Sequence, residues 1–166
     1  MKRLVLLLIS VIAGIVLTAT SALADNPHFL FADNSVSTST GALTTSFKDA
    51  GLGTGATSIQ VTLSVTTATA VYQCFNNGGN HPKAGNKETV STSLSTTGTF
   101  PVRNGQTTGS LTVGPPGPGS FGCPSGQSLF LQSATYSGTF VSDATGNTLE
   151  ATPDPISTGP VHLLIG

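Results

Sequence analysis

Apolar and polar residues alternate along much of this chain. Ile59, Val61, Leu63 and Val65 are separated by Gln60, Thr62 and Ser64. That period of two predicts a strand with one buried and one wetted face. After Thr66 and Thr67 the apolar phase moves to Ala68, Ala70, Tyr72 and Cys74. Such a shift predicts either a bulge or a strand that passes between sheets. A second long run behaves alike, with Leu129 and Leu131 on one parity and Ala134, Tyr136 and Phe140 on the other. Shorter strands are predicted from Phe29 to Ser39, Ala42 to Lys48, Thr89 to Ser95, Gly98 to Val102, Thr107 to Val113 and Thr148 to Thr152. Turns fall between them at Ser39-Thr40-Gly41, at Arg103-Asn104-Gly105-Gln106 and over Asp143 to Asn147. Asn-Gly supplies the left-handed conformations that a tight hairpin requires.

No stretch of the chain after residue 24 has the 3.6-residue period of a helix. Short strands at regular spacing predict an all-β fold, an antiparallel immunoglobulin-like two-sheet β-sandwich of seven to nine strands. A jelly roll or small barrel is the alternative. The chain has no tryptophan, so the likeness to immunoglobulin domains concerns architecture only.

The first residues are of another kind. Met1-Lys2-Arg3 is basic, Leu4 to Leu17 is almost wholly apolar, and small residues at Ala22 and Ala24 precede Asp25. The apolar stretch is shorter than the about 20 residues of a membrane span. We read 1–24 as a cleaved signal peptide, 25–152 as the sandwich domain and 153–166, with Pro153, Pro155 and Pro160, as an extended C-terminal tail. The expected location is secreted, with no stable membrane anchor after cleavage. Loss of Lys2 and Arg3 leaves Lys48, Lys83, Lys87 and Arg103 against seven acidic residues. Without a basic patch the chain is not expected to bind nucleic acid. With only 8% of residues charged, its edge strands carry little electrostatic protection.

An exported chain with two cysteines predicts one disulfide, Cys74–Cys123. On the chain-entropy account a loop of about 50 residues closed this way is worth about 4 kcal/mol. The pairing would bring together two turn-rich segments, 76–87 and 114–122. We take Asn76, Asn77, Asn80, His81, Lys83, Lys87, Pro116 and Phe121 as the candidate binding loop. Amide side chains offer paired donors and acceptors that suit sugar hydroxyls or peptide backbone.

Three stretches carry a resemblance: 47–53, FKDAGLG; 70–83, AVYQCFNNGGNHPK; and 114–124, GPPGPGSFGCP. They resemble a group of small uncharacterised exported proteins of actinomycete-type bacteria. The resemblance spans most of 29–150 and implies secretion, a single domain and a bacterial source. The group has no established activity, so no catalytic residues follow from it.

Catalytic constellations are scarce. Ser120 has Gly122 after it but Pro118 before it, half of a nucleophile elbow. His28, His81 and His162 lack zinc-ligand spacing. Asp25, Asp33, Asp49, Glu88, Asp143, Glu150 and Asp154 sit in no motif. Asp143, Thr145 and Asn147 have the alternate-residue oxygens of some calcium loops, but the rest of that loop is missing and we read a turn. No cofactor or metal is expected. The favoured function is a non-catalytic module that binds a cell-wall or glycan component, or an extracellular protein, through the loops around the disulfide. The alternatives are a small secreted hydrolase using His81 with a carboxylate such as Glu88, and a structural coat or spacer protein.

Overall fold

The computed structural model describes residues 26–76 and 86–165. The segment 1–24 read as a signal peptide, Asn77, Asn80, His81 and Lys83 lie outside the described residues. Among those described there are nine strands and no helix. They are β1 (His28–Val36), β2 (Leu43–Ala50), β3 (Ser58–Asn76), β4 (Lys87–Pro101), β5 (Gln106–Val113), β6 (Gln127–Asp143), β7 (Thr148–Glu150), β8 (Ile156–Ser157) and β9 (Leu163–Leu164). All pair antiparallel, in a smaller sheet of order β1-β2-β5 and a larger one of order β4-β3-β6-β7. The segments expected at Thr89 to Ser95 and Gly98 to Val102 form one strand, because Thr96, Thr97 and Gly98 stay paired to Leu63, Thr62 and Val61.

The two sheets share a core. Leu43 and Phe47 of β2 and Leu111 and Val113 of β5 pack with Val61, Leu63 and Val65 of β3 and Tyr136 and Val141 of β6. Removing such side chains from water is the main favourable contribution to the fold. The sheets differ in length. β3 has 19 residues and β6 has 17, whereas β2 and β5 have 8 each. The small sheet therefore covers only part of the large one.

The phase changes are bulges. Thr66 and Thr67 are both exposed between buried Val65 and Ala68, and the β3–β4 register slips there. β3 stays in one sheet throughout. In β6 the register slips where Val71 pairs with Ser133 and Tyr72 with Leu131, leaving Gln132 as the extra residue. A further phase change, which parity did not anticipate, occurs at Gly138. Its φ is 63°, and a Cβ there would meet Thr66 Oγ1 at 2.5 Å. Beyond it Thr139, Val141 and Asp143 are buried, and Phe140 turns outward instead of joining Ala134 and Tyr136.

The segment after Pro153, read from its prolines as an extended tail, runs back along β6. Ile156 pairs with Tyr136, and Leu163 pairs with Leu131. Proline cannot donate to a ladder, so it is confined to edge positions such as these. The chain also crosses between sheets here. Ala151 donates to Thr139 O of β6, whereas Thr152 exchanges hydrogen bonds of 2.8 and 2.9 Å with Asn34 and Ala32 of β1. Buried Asn34 adds a polar link: it accepts from Thr45 Oγ1 at 2.6 Å and donates to Thr139 Oγ1 at 2.6 Å and Pro153 O at 3.1 Å.

Candidate functional site

At one pole of the large sheet, Ala70, Tyr72 and Leu131 face inward where the small sheet does not reach. The glycine- and proline-rich segment 114–126 covers them. Cys123 forms the disulfide with Cys74, with Cα atoms 5.6 Å apart. Tyr72 donates its hydroxyl to Pro116 O at 2.5 Å, and Phe121 packs on the Ala70, Tyr72 and Leu131 group. Burial raises the pKa of Tyr72, so its hydroxyl stays a donor. Pro116 is itself buried and Phe121 half-buried. Both therefore roof the core rather than line an open surface. Asn76 and Lys87 are exposed at the facing ends of β3 and β4. Nearby, Cys74 N–H donates to Asn86 O at 3.0 Å and the Asn86 amide donates to Gln127 Oε1 at 3.1 Å, fixing the base of the loop.

The outer face of the large sheet at this pole holds a groove of about 420 Å³. Val71 lies in it with Lys87, Gln132, Ser133, Ser157 and Pro160. The bulge presents Gln132, whose amide nitrogen lies 3.3 Å from His162 Nδ1. The exposed His162 ring stacks on Phe130, centroids 3.9 Å apart and planes inclined by 16°, and meets Phe75 edge-on at 4.4 Å. One cation, an amide and two hydroxyls thus line the groove with Val71, and the His162 ring lies beside it in contact with Gln132. Of the sequence candidates among the described residues, only Lys87 lines this groove. Gln132, Ser133, Ser157 and His162 carried no motif. The one signal for Gln132 was the switch of apolar parity between Leu131 and Ala134, since a bulge re-aims a side chain.

The opposite pole holds a second feature. Asp49 of β2 is fully buried, and neither of its oxygens accepts a hydrogen bond among the described residues. Burial, followed by the charge of Asp143 and a carboxyl–carboxyl contact with it, raises the Asp49 pKa to about 6, partly offset by the Ala50 amide and His28. Burial also raises Asp143. That is outweighed by donation from Thr145 and Asn147, so its pKa falls below the ordinary value. Thr145 N–H and Oγ1 reach Asp143 Oδ1 at 2.8 and 2.6 Å, which builds the turn read from the sequence. Beside this turn is a cleft of about 450 Å³ with Leu52, Ala56, Ile59 and Thr145 on its walls. Its walls carry no charged side chain, so it offers less recognition chemistry than the groove at Lys87.

Glu88, the carboxylate considered with His81, is exposed on β4 opposite Tyr72 in the register. The described residues contain no group of three or more His, Cys, Asp or Glu arranged to hold a metal ion. Compared with protein-family models, curated proteins and solved structures, the chain matches none.

Proposed function

We propose that the protein is a secreted, non-catalytic immunoglobulin-like β-sandwich module that binds a carbohydrate component of a cell surface or wall. The strand order supports the immunoglobulin-like reading. Constant-type domains place strands 1, 2, 5 and 4 on one sheet and 3, 6 and 7 on the other. Here strand 4 has moved across, giving β1-β2-β5 and β4-β3-β6-β7. The parallel bridge between Asp33 and Thr152 joins the first strand to the end of the last one in that scheme. The N-terminal leader pattern supports export, and the disulfide fits an oxidising compartment.

The observation that carries the binding reading is the groove at Lys87, Gln132, Ser133 and Ser157, bordered by the exposed His162 ring. A sugar ring offers hydroxyls for amide and hydroxyl partners and an apolar face for stacking. The groove sits on paired strands rather than on a free loop, which holds its polar groups in place.

The test is retention of purified protein on insoluble cell wall and on immobilised polysaccharide panels. Binding is expected. Gln132→Ala and Lys87→Ala are each expected to weaken it about tenfold, the cost of one or two polar contacts. Failure of folded protein to be retained on any of these surfaces defeats the reading. Retention that both variants leave intact removes the groove as its site.

A further inference from the structure

Among the described residues, the longest sheet edge left without a backbone partner belongs to β4. The outer edge of β6 is paired in turn by β7, β8 and β9, with Pro153, Pro155 and Pro160 between them. The edge of β1 is bridged by Thr152. β5 leaves β4 through the Arg103–Gln106 bridge and lies against its end, where Gly109 sits under the Phe100 ring. The stretch of β4 from Lys87 to Thr97 is different. It pairs with β3 on one side, and its other side makes no backbone hydrogen bond among the described residues.

Beyond Lys87 and Glu88 at its start, that edge has none of the usual guards as far as Thr97. Proteins blunt exposed edges with proline, lysine, bulges or inward charges. From Thr89 to Phe100 β4 has no proline and no charged residue. The extra residue of the nearby bulge lies in β3, so β4 remains regular. Val90 and Leu94 are half-buried on the inner side and pack only partly against the core.

We propose that this edge pairs with the same edge of a second copy, antiparallel about a twofold axis at Thr92. In that register Val90 of one copy faces Leu94 of the other, and Ser91 faces Ser93. Lys87 then faces Thr97 and Glu88 faces Thr96, so no like charges meet. Pairing over this length forms about ten inter-strand hydrogen bonds, the number found in an ordinary stable interface. The two large sheets become one continuous sheet. The groove at Lys87 opens on the outer face, so both grooves would lie on that joined sheet. The pairing does not depend on what they bind.

The test is sedimentation equilibrium of the purified protein from about 1 to 500 µM. A reversible dimer is expected. Thr92 is exposed, so Thr92→Lys and Thr92→Glu are each expected to remain folded by circular dichroism. Each places like charges on the axis and is expected to raise the dimer dissociation constant at least about tenfold. An equimolar mixture of the two is expected to dimerise again, because opposite charges then face one another. Wild-type protein that stays monomeric across the range overturns the proposal. So does dimerisation that both charged variants leave unchanged, or a mixture that stays monomeric.

Discussion

Asp49 of β2 and Asp143 of β6 face each other across the two sheets, and their surroundings are opposite. Asp143 accepts four hydrogen bonds from Thr145 and Asn147, whereas neither Asp49 oxygen has a geometrically sound partner among the described residues. A protonated Asp49 can donate to Asp143, which gives one of its two buried oxygens a partner. Its folded pKa, about 6, lies above the ordinary value of 3.8. The stability from protonated Asp49 is therefore fully present below about pH 4 and is lost as the pH rises through about 6. Asp143 works the other way: its pKa is lowered, so its contribution is lost only as the pH falls through that lowered value. Thermal stability is expected to be greatest in mildly acidic solution and to decline towards neutrality. Asn at position 49 keeps a donor without titrating. Asp49→Asn is expected to flatten that decline and to gain about 1–3 kcal/mol at neutral pH. Melting curves between pH 4 and 8 check this; an unchanged pH profile in the variant would refute it.

The roof over Tyr72 is held at two points, the disulfide and the Tyr72–Pro116 hydrogen bond. Tyr72→Phe leaves the Pro116 carbonyl without its donor and is expected to cost about 1–2 kcal/mol. Replacing both cysteines by alanine is expected to cost about 2–4 kcal/mol. Both changes free the same segment, so the triple variant should lose less than the sum. Urea titrations of the four proteins measure that coupling, and strict additivity would mean that the two ties act independently.

Gly109 lies under Phe100, where a Cβ would meet the ring at 2.3 Å and Phe47 Cζ at 3.1 Å. Phe100 is fixed in turn by an edge-on contact with Phe47, centroids 4.9 Å apart. Gly109→Ala is expected to destabilise by about 1–3 kcal/mol, the usual cost of overpacking. Much of that loss should disappear in a Phe100→Leu background. Denaturation of the two singles and the double variant decides it.

Residues 153–165 shield the β6 edge and cover part of the Ala70, Tyr72 and Leu131 group through Val161, Leu163 and Ile165. A chain ending at Thr152 is expected to expose that edge and to aggregate on expression. Recovery of soluble, monodisperse protein at wild-type yield would show that the segment is dispensable.

The alternation at Ile59 to Val65, and its displacement at Ala68 to Cys74, was enough to place β3 and its buried face, while the choice between a bulge and a change of sheet fell to the tertiary structure. Strand parity depends only on neighbouring residues, and the short polar interruptions mark the turns between strands. Cys74–Cys123 was likewise legible, since two cysteines allow one pairing. The reading failed at Phe140, because a positive φ at Gly138 reverses the parity, and the glycine within the strand was the one local sign of it. The proline spacing after Pro153 suggested a tail, although residues that cannot pair in a sheet interior can still lie along its edge.

The amino-acid order alone thus determined the extended backbone, the phase shifts of the long strands and the covalent link, all set by local periodicity and chemistry. Tertiary structure decided the rest. Two sheets of unequal length left a face for the Pro116 segment to roof, and β6 turned Gln132 outward beside Lys87 and His162. Antiparallel pairing brought Asp49 against Asp143 from opposite ends of the chain. Each depends on which strands become neighbours, and that follows from burying one shared core rather than from any short stretch of residues.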